Sequence, residues 1–322
     1  MEEFMKDNIK SFFTEHWKYM AVSTACKLNL FDHLQEAKTS KQLAIEHSLN
    51  EEKLNLLLNA LHQVNFLSKE EDCFKTNSLS EFLTESNPES LKFACLNWSS
   101  EHLTAWQNLD FSIKTGKSSF EEIYGKPFFD YLNDFPEKLH AYQKAMYEYA
   151  KDDYKILSEM IDFSKYKSVM DVGGGYGAVL ENIKANNPNI ECILFDLPKV
   201  IEKVTTHPDI KKISGSFFEK ISSKSEAIIL SRVLHDWNDI KANTILKNCF
   251  EALPNNGILY VIENCTDKIE IDLSLLSLNM TAMCESYERT SAQYILLCEN
   301  AGFQFHSETK LNELQTILTF KK

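Results

Sequence analysis

The stretch Ser231-Arg232-Val233-Leu234-His235-Asp236-Trp237-Asn238-Asp239 places a histidine directly after an apolar run, and two carboxylates, Glu263 and Glu288, follow further along the chain. Imidazole titrates closer to neutral pH than any other unperturbed side chain, so it can take up and release protons there. A carboxylate hydrogen-bonded to one ring nitrogen fixes the tautomer and raises the basicity of the other. Removing a proton from a hydroxyl requires that arrangement. Singly, His235 reads as a structural histidine, Glu263 as a solvated strand end and Glu288 as an acid favoured by a helix N-terminus. Placed together at one edge of a sheet, they read as a general base with its flanking acids.

A second stretch concerns a ligand. Four of the nine glycines fall in Asp171-Val172-Gly173-Gly174-Gly175-Tyr176-Gly177, directly after the apolar Ser168-Val169-Met170. A strand that ends in residues without side chains and then turns into a helix brings backbone N–H groups close to a bound molecule. Gly173, Gly175 and Ala178 fit G-x-G-x-x-A, and Asp196 lies about twenty residues on, after Cys192-Ile193-Leu194-Phe195, where a ribose ligand belongs. Asp171 separates two kinds of cofactor. A carboxylate at the mouth of the loop repels a pyrophosphate and attracts an ammonium and a sulfonium, so S-adenosylmethionine fits better than a dinucleotide.

The elements that must position these residues follow from periodicity. Ile9, Phe12, Phe13, His16, Trp17 and Met20 recur at helical spacing on a helix ending near Lys27 to Asn29. Thr39 to Glu46 and Asn50 to Val64 predict two short helices, the second capped by Asn50. Asn65 to Ser68, the turn Lys69 to Asp72 and Cys73 to Thr76 predict a hairpin. The order is that of a winged helix. From about Tyr166 the pattern alternates, with strands predicted at Ser168 to Val172, Ile190 to Phe195, Lys211 to Gly215, Ala227 to Ser231, Gly257 to Glu263, Phe303 to Glu308 and Thr316 to Lys321. Helices at Asp239 to Leu253 and Ser291 to Asn300 fall between them. This is an α/β, Rossmann-like, doubly wound sheet closed by an antiparallel hairpin, with its ligand at the carboxyl ends of the strands. The expected division is a helical dimerisation and substrate-wall domain over residues 1–155 and a cofactor-binding domain over 156–322.

Composition narrows the class. The chain has 322 residues, 43% of them hydrophobic and 25% charged, with a formal net charge of −13. Such an acidic protein is a poor partner for nucleic acid or an anionic membrane surface. The predicted recognition helix, opening Asn50-Glu51-Glu52, carries one lysine where phosphate contacts need several basic groups. No apolar run reaches membrane-spanning length, and the acidic N-terminus lacks the pattern of a signal peptide, so a cytoplasmic location is expected. The eight scattered cysteines include no C-x-x-C pair; reduced thiols and no metal site are expected.

The motifs carry a resemblance over nearly the whole chain. DVGGGYG at 171, FDLP at 195, GSFF at 215, LSRVLHDWND from 230, ILKNCFEALPNNG from 245, ERT at 288 and NAGF at 300 resemble the small-molecule O-methyltransferases of the plant caffeic-acid type and their bacterial natural-product relatives. In the first half, Trp106, Thr115-Gly116 and Tyr124 to Phe129 through Met146 match as well. The resemblance implies that His235 is the catalytic base and that Glu263 and Glu288 flank it. It implies a cofactor site of Asp171, Gly173, Gly175, Asp196, Leu197, Ser216, Phe217, Phe218, Ser231 and Arg232, and a substrate pocket with Met146, Trp237, Met280 and Met283. It further implies a homodimer through the N-terminal domain, whose helices help build the partner's active site. Ser216 stands where many relatives carry an Asp, Ser231 where plant members carry a Lys, and Cys284 to Tyr287 replaces a glycine pair.

The expected activity is transfer of a methyl group from S-adenosylmethionine to a hydroxyl of a small aromatic or enolic metabolite. Rival readings are transfer to nitrogen or carbon, a cofactor-assisted pericyclic or decarboxylative step, and a non-catalytic dimeric regulator that binds a metabolite. An NAD-dependent dehydrogenase ranks last because of Asp171.

Overall fold

A computed structural model describes residues 2–268 and 270–322. They form two compact units, one ending at Ser100 and one starting at Glu101. In the first unit a long helix, Glu2–Lys27, is followed by the helices Ser40–His47 and Glu51–Gln63. Thr39 and Gln42 form a reciprocal capping box at one, and Asn50 accepts from the Lys53 N–H at the other, so each start is set by a side chain that satisfies an otherwise orphan N–H. Three short strands, β1 (Lys38–Thr39), β2 (Ser68–Glu70) and β3 (Cys73–Lys75), pair in the order β1-β3-β2. The expected hairpin is present but displaced. Its first strand starts at Ser68 rather than Asn65, because Asn65 takes a left-handed conformation, with φ 64°, that ends the preceding helix. On the long helix, Ile9, Phe12, Phe13 and Trp17 remain exposed, Phe12 by 76% and Trp17 by 64%.

The second unit holds a seven-stranded sheet: β4 (Ser168–Val172), β5 (Glu191–Asp196), β6 (Ile210–Ser214), β7 (Ala227–Ser231), β8 (Ile258–Asn264), β9 (Gln304–Lys310) and β10 (Gln315–Lys321). The order is β6-β5-β4-β7-β8-β10-β9, parallel except for β10, which runs antiparallel to both neighbours. The central strands are almost wholly apolar because both faces are covered. Val169, Leu194, Ile229 and Ile262 enter one core, and Met170, Ile193, Phe195, Ile228, Leu230 and Val261 the other. Each such side chain contributes about 1.5–3 kcal/mol on burial.

Residues 101–155, expected with the N-terminal module, group instead with the sheet. Their polar side chains explain this. Trp106 Nε1 donates to Asn279 Oδ1 at 2.9 Å, Ser118 Oγ to the Ala282 carbonyl at 2.8 Å, and Tyr147 Oη to Glu181 Oε2 at 2.5 Å. Among the described residues no helix is long and apolar enough to cross a membrane.

Gly215, after β6, donates its N–H to the Asp196 carbonyl at 2.9 Å, and a Cβ there would lie 2.6 Å from Phe195 Cζ. Phe195 is packed in the core and has little room to yield. Gly215→Ala is therefore expected to lower stability by about 1–3 kcal/mol, read as a reduced urea midpoint; an unchanged midpoint would show that the ring swings aside.

Candidate active site

Strand order reverses between β4 and β7, so their carboxyl ends open a crevice with the glycine loop on one side and the histidine turn on the other. The turn is built locally. Arg232 adopts a left-handed conformation, φ 55°, and donates its N–H to the Ile262 carbonyl at 2.9 Å, after which Leu234–Asp236 form a single 3₁₀ turn. Asn238 then caps the helix Asp239–Ala252 by accepting from the Lys241 N–H at 3.1 Å.

Two buried ions of opposite sign hold this turn. Glu263, at the end of β8 and wholly buried, accepts at Oε1 from the N–H groups of Val233, at 2.9 Å, and Leu234, at 2.7 Å. Arg289 donates to the carbonyls of Leu234, at 3.0 Å, and Trp237, at 2.7 Å, and pairs with Asp239 at 2.8 Å. Thr290 caps the helix Ser291–Asn300 through a capping box with Gln293. Glu288-Arg289-Thr290 thus supplies an anion, a cation and a helix cap in consecutive residues.

His235 points Nδ1 at Glu288 Oε1, 2.9 Å away. Because an ionised carboxylate only accepts, this contact puts a proton on Nδ1 and leaves Nε2 as the basic nitrogen. Asp236 Oδ1 lies 3.5 Å from Nε2. Arg232 donates to both oxygens of Glu288, at 3.1 and 2.9 Å, and lies 3.5 Å from Glu263 Oε2, which has no hydrogen-bond partner. The guanidinium of Arg232, expected at the cofactor, is bonded to these carboxylates. Glu263 lies within 4.8 Å of the imidazole and accepts from the backbone of the turn, while Glu288 is the acid that hydrogen-bonds the ring.

Burial, the largest influence on His235, lowers its proton affinity, as does Arg232, but Asp236, Glu288 and Glu263 together outweigh them and raise it to about 9. Burial would raise Glu288, yet Arg232 and His235 hold it down at about 2. In Glu263 burial wins over His235 and Arg232, and its carboxyl is pushed up. His235, Glu263 and Glu288 offer ligand atoms within 4.8 Å of one another. Arg232 already supplies the positive charge that faces both carboxylates.

At the loop, Gly173 and Gly175 have φ 76° and 56°, and a Cβ on Gly175 would come within 2.6 Å of Gln143 Oε1. Asp196 accepts from the N–H groups of Gly175, at 2.8 Å, and Leu197, at 2.6 Å. Asp171 is buried beneath the loop with Oδ1 unpartnered, and burial together with Asp196 pushes its carboxyl up to about 8. Burial raises Asp196 to about 6, against the two N–H bonds. Phe217 closes over Gly173, where its Cε1 would lie 3.2 Å from an added Cβ. Ser216 Oγ accepts from the Phe218 N–H at 3.2 Å, and Ser231 Oγ donates to Tyr154 Oη at 2.5 Å. An acidic pair with an unpartnered oxygen and an aromatic wall fits a cationic nucleoside.

Trp237 lies among Phe129, Phe217 and Phe218, with ring centroids 5.4, 5.9 and 4.7 Å away, so it shares the aromatic wall of the loop. Met146 is half-buried on the helix Pro136–Asp153. Met280 and Met283 lie buried on the helix Ile271–Cys284, and Met283 belongs to the core.

The model of the O-methyltransferase domain matches residues 106–304, and that of the O-methyltransferase dimerisation domain residues 11–86. The chain belongs to the O-methyltransferase family. It is 30% identical to a 3-amino-4-hydroxybenzoate 4-O-methyltransferase of Streptomyces cremeus, over 92% of this chain and 84% of that one. It is 28% identical to the phenazine O-methyltransferase PhzM of Lysobacter antibioticus, over 90% of this chain and 88% of that one. The crystal structure of human N-acetylserotonin methyltransferase in complex with SAM shares the fold, with a TM-score of 0.90 at 22% identity, covering 99% and 97% of the two chains. The family's methyl donor is S-adenosylmethionine, in agreement with the charge pattern of the loop.

Sequence reasoning passed over several residues of this O-methyltransferase site. Arg289 is fully buried and clamps the turn, and the ERT triplet was the available signal. Gln143 and His140, which meets Tyr176 Oη at 2.6 Å, brace the glycine loop from the Pro136–Asp153 helix. Nothing in their spacing marks them.

Removing Glu263 leaves two buried N–H groups without an acceptor and takes one carboxylate away from Arg232. Glu263→Ala is expected to cost about 3–5 kcal/mol, measured by urea unfolding, with Glu263→Gln costing less; a variant as stable as the parent would show that Glu263 does not hold the turn.

Proposed function

We propose that this enzyme methylates a hydroxyl of a small aromatic or enolic metabolite, with His235 as general base. The hydrogen bond of 2.9 Å from His235 Nδ1 to Glu288 carries the reading, because it leaves Nε2 as the nitrogen that can take a proton. When bound, S-adenosylmethionine supplies an electrophilic methyl group on a sulfonium. Asp196, Asp171 and the N–H groups of the glycine loop hold it, and Phe217, Phe218 and Trp237 wall its base. A phenol titrates near pH 10, so at neutral pH the acceptor needs its proton removed. Transfer to a neutral amine, which attacks with its own lone pair, would not call for a base oriented in this way.

The rest of the reading is a homodimer, formed through the exposed apolar face of Glu2–Lys27 in the dimerisation domain. A cytoplasmic enzyme with no nucleic-acid partner agrees with the net charge of −13.

His235→Ala is expected to cut turnover about a hundredfold to ten-thousandfold while calorimetry returns nearly unchanged cofactor affinity. Full turnover in that variant would retire the base. Since His235 must be neutral to accept a proton and its affinity is raised to about 9, kcat/KM should climb with pH and level off above about 9. A profile flat from pH 6 upward would contradict this. Sedimentation should return twice the chain mass of 37.2 kDa, and Phe12→Asp with Trp17→Asp should yield monomers.

A further inference from the structure

We propose that Arg232 is a positioning residue for the His235–Glu288 pair, fixing Glu288 in a two-pronged bond and setting the charge balance under which His235 can release a proton. The inference rests on the reading of His235 as the base. Its first support is the fork: Nη1 meets Oε2 at 3.1 Å and Nη2 meets Oε1 at 2.9 Å. A guanidinium matches a carboxylate in this planar way and a lysine cannot. Oε1 is also the acceptor of His235 Nδ1, so one oxygen serves the guanidinium and the imidazole together. A shared oxygen holds the imidazolium less tightly than one committed to the ring.

The second support is the count of charges. Three carboxylates surround His235: Asp236 on its own turn, Glu263 from β8 and Glu288 from the segment before Ser291–Asn300. Arg232 is the cation that faces two of them. Around Arg232 stand Asp153, which accepts from Gln315 at 3.1 Å, and Tyr154, Tyr142 and Tyr294. None of these adds positive charge. Arg289, the other buried cation at this turn, is committed to the Leu234 and Trp237 carbonyls and to Asp239. Without the Arg232 guanidinium no cation would pair with the acids at the imidazole, which would stay protonated to higher pH, and a protonated ring cannot act as a base. The third support is the backbone. Arg232 is not a glycine yet holds φ 55°, a conformation that costs free energy and persists only when neighbouring contacts fix it. Its N–H to Ile262 and its fork to Glu288 are those contacts.

The experiment follows the ring of His235 by nuclear magnetic resonance in the full-length, ligand-free enzyme, with His235→Ala identifying the signal. In Arg232→Met the midpoint of the His235 titration should rise by about one pH unit, a tenfold gain in proton affinity. Arg232→Lys, which keeps the charge and loses the fork, should shift the midpoint much less. It should instead speed the exchange of the Nδ1 proton about tenfold, as Glu288 loosens. An unchanged or lower midpoint in Arg232→Met overturns the charge role. Unchanged exchange in Arg232→Lys overturns the positioning role, and that variant decides the matter if Arg232→Met does not fold. These readouts need no turnover, so the loss of His235 as the base, seen as full activity in His235→Ala, would be a separate result.

Discussion

An ion can remain inside a protein only when dipoles or opposite charges replace the water it has lost. The turn carrying His235 is organised by that constraint. Glu263 collects its N–H groups and Arg289 collects its carbonyls, so the dipoles of one short turn stabilise two buried charges, and the charges in return fix the turn. The partners come from β8 and from the segment ahead of Ser291–Asn300, which ties the sheet to the layer of helices beside it. Packing alone would leave such a turn free to rock. Oriented charges define where the imidazole sits and which of its nitrogens meets Glu288.

The glycine loop answers the same problem with backbone. It is bent through residues of positive φ, and Asp196 receives two N–H groups, one from Gly175 in the loop and one from its own neighbour Leu197. Burial leaves Asp171 and Asp196 with raised proton affinity, so a cation entering the loop meets carboxyls whose ionised form it favours. His235 and the loop meet because β4 and β7 are neighbours in the sheet although β5 and β6 lie between them in sequence. The topology therefore does the work of proximity.

How much of this was legible depends on the range of the interaction concerned. β4, β5, β7 and β8 were legible because strands covered on both faces need unbroken apolar runs. β1 was missed: two residues, Lys38 and Thr39, carry no pattern at all. The hairpin slipped because Phe66 and Leu67 are apolar for tertiary reasons, while the left-handed Asn65 that sets the register leaves no periodic trace. His235, Glu263 and Glu288 were legible as residue types and by their place at strand ends. Their pairing was not. Arg232 bonds a residue 56 positions away, and nothing local distinguishes a guanidinium aimed at a cofactor from one aimed at Glu288. The boundary near residue 155 failed for a similar reason, since the contacts of Trp106 and Ser118 with the helix Ile271–Cys284 span more than 160 residues.

The antiparallel β10 has a consequence for biosynthesis. It lies between β8 and β9, and Thr316 is the register partner of Glu263. Until residues 315–321 emerge from the ribosome, β8 has a neighbour on one side only, and the strand that presents Glu263 is an open edge. The parallel strands can collapse around their helices during translation, but the anchor of the histidine turn is enclosed only when this later strand threads back between two earlier ones. An interrupted chain would therefore carry the glycine loop while the strand that presents Glu263 still had an open edge.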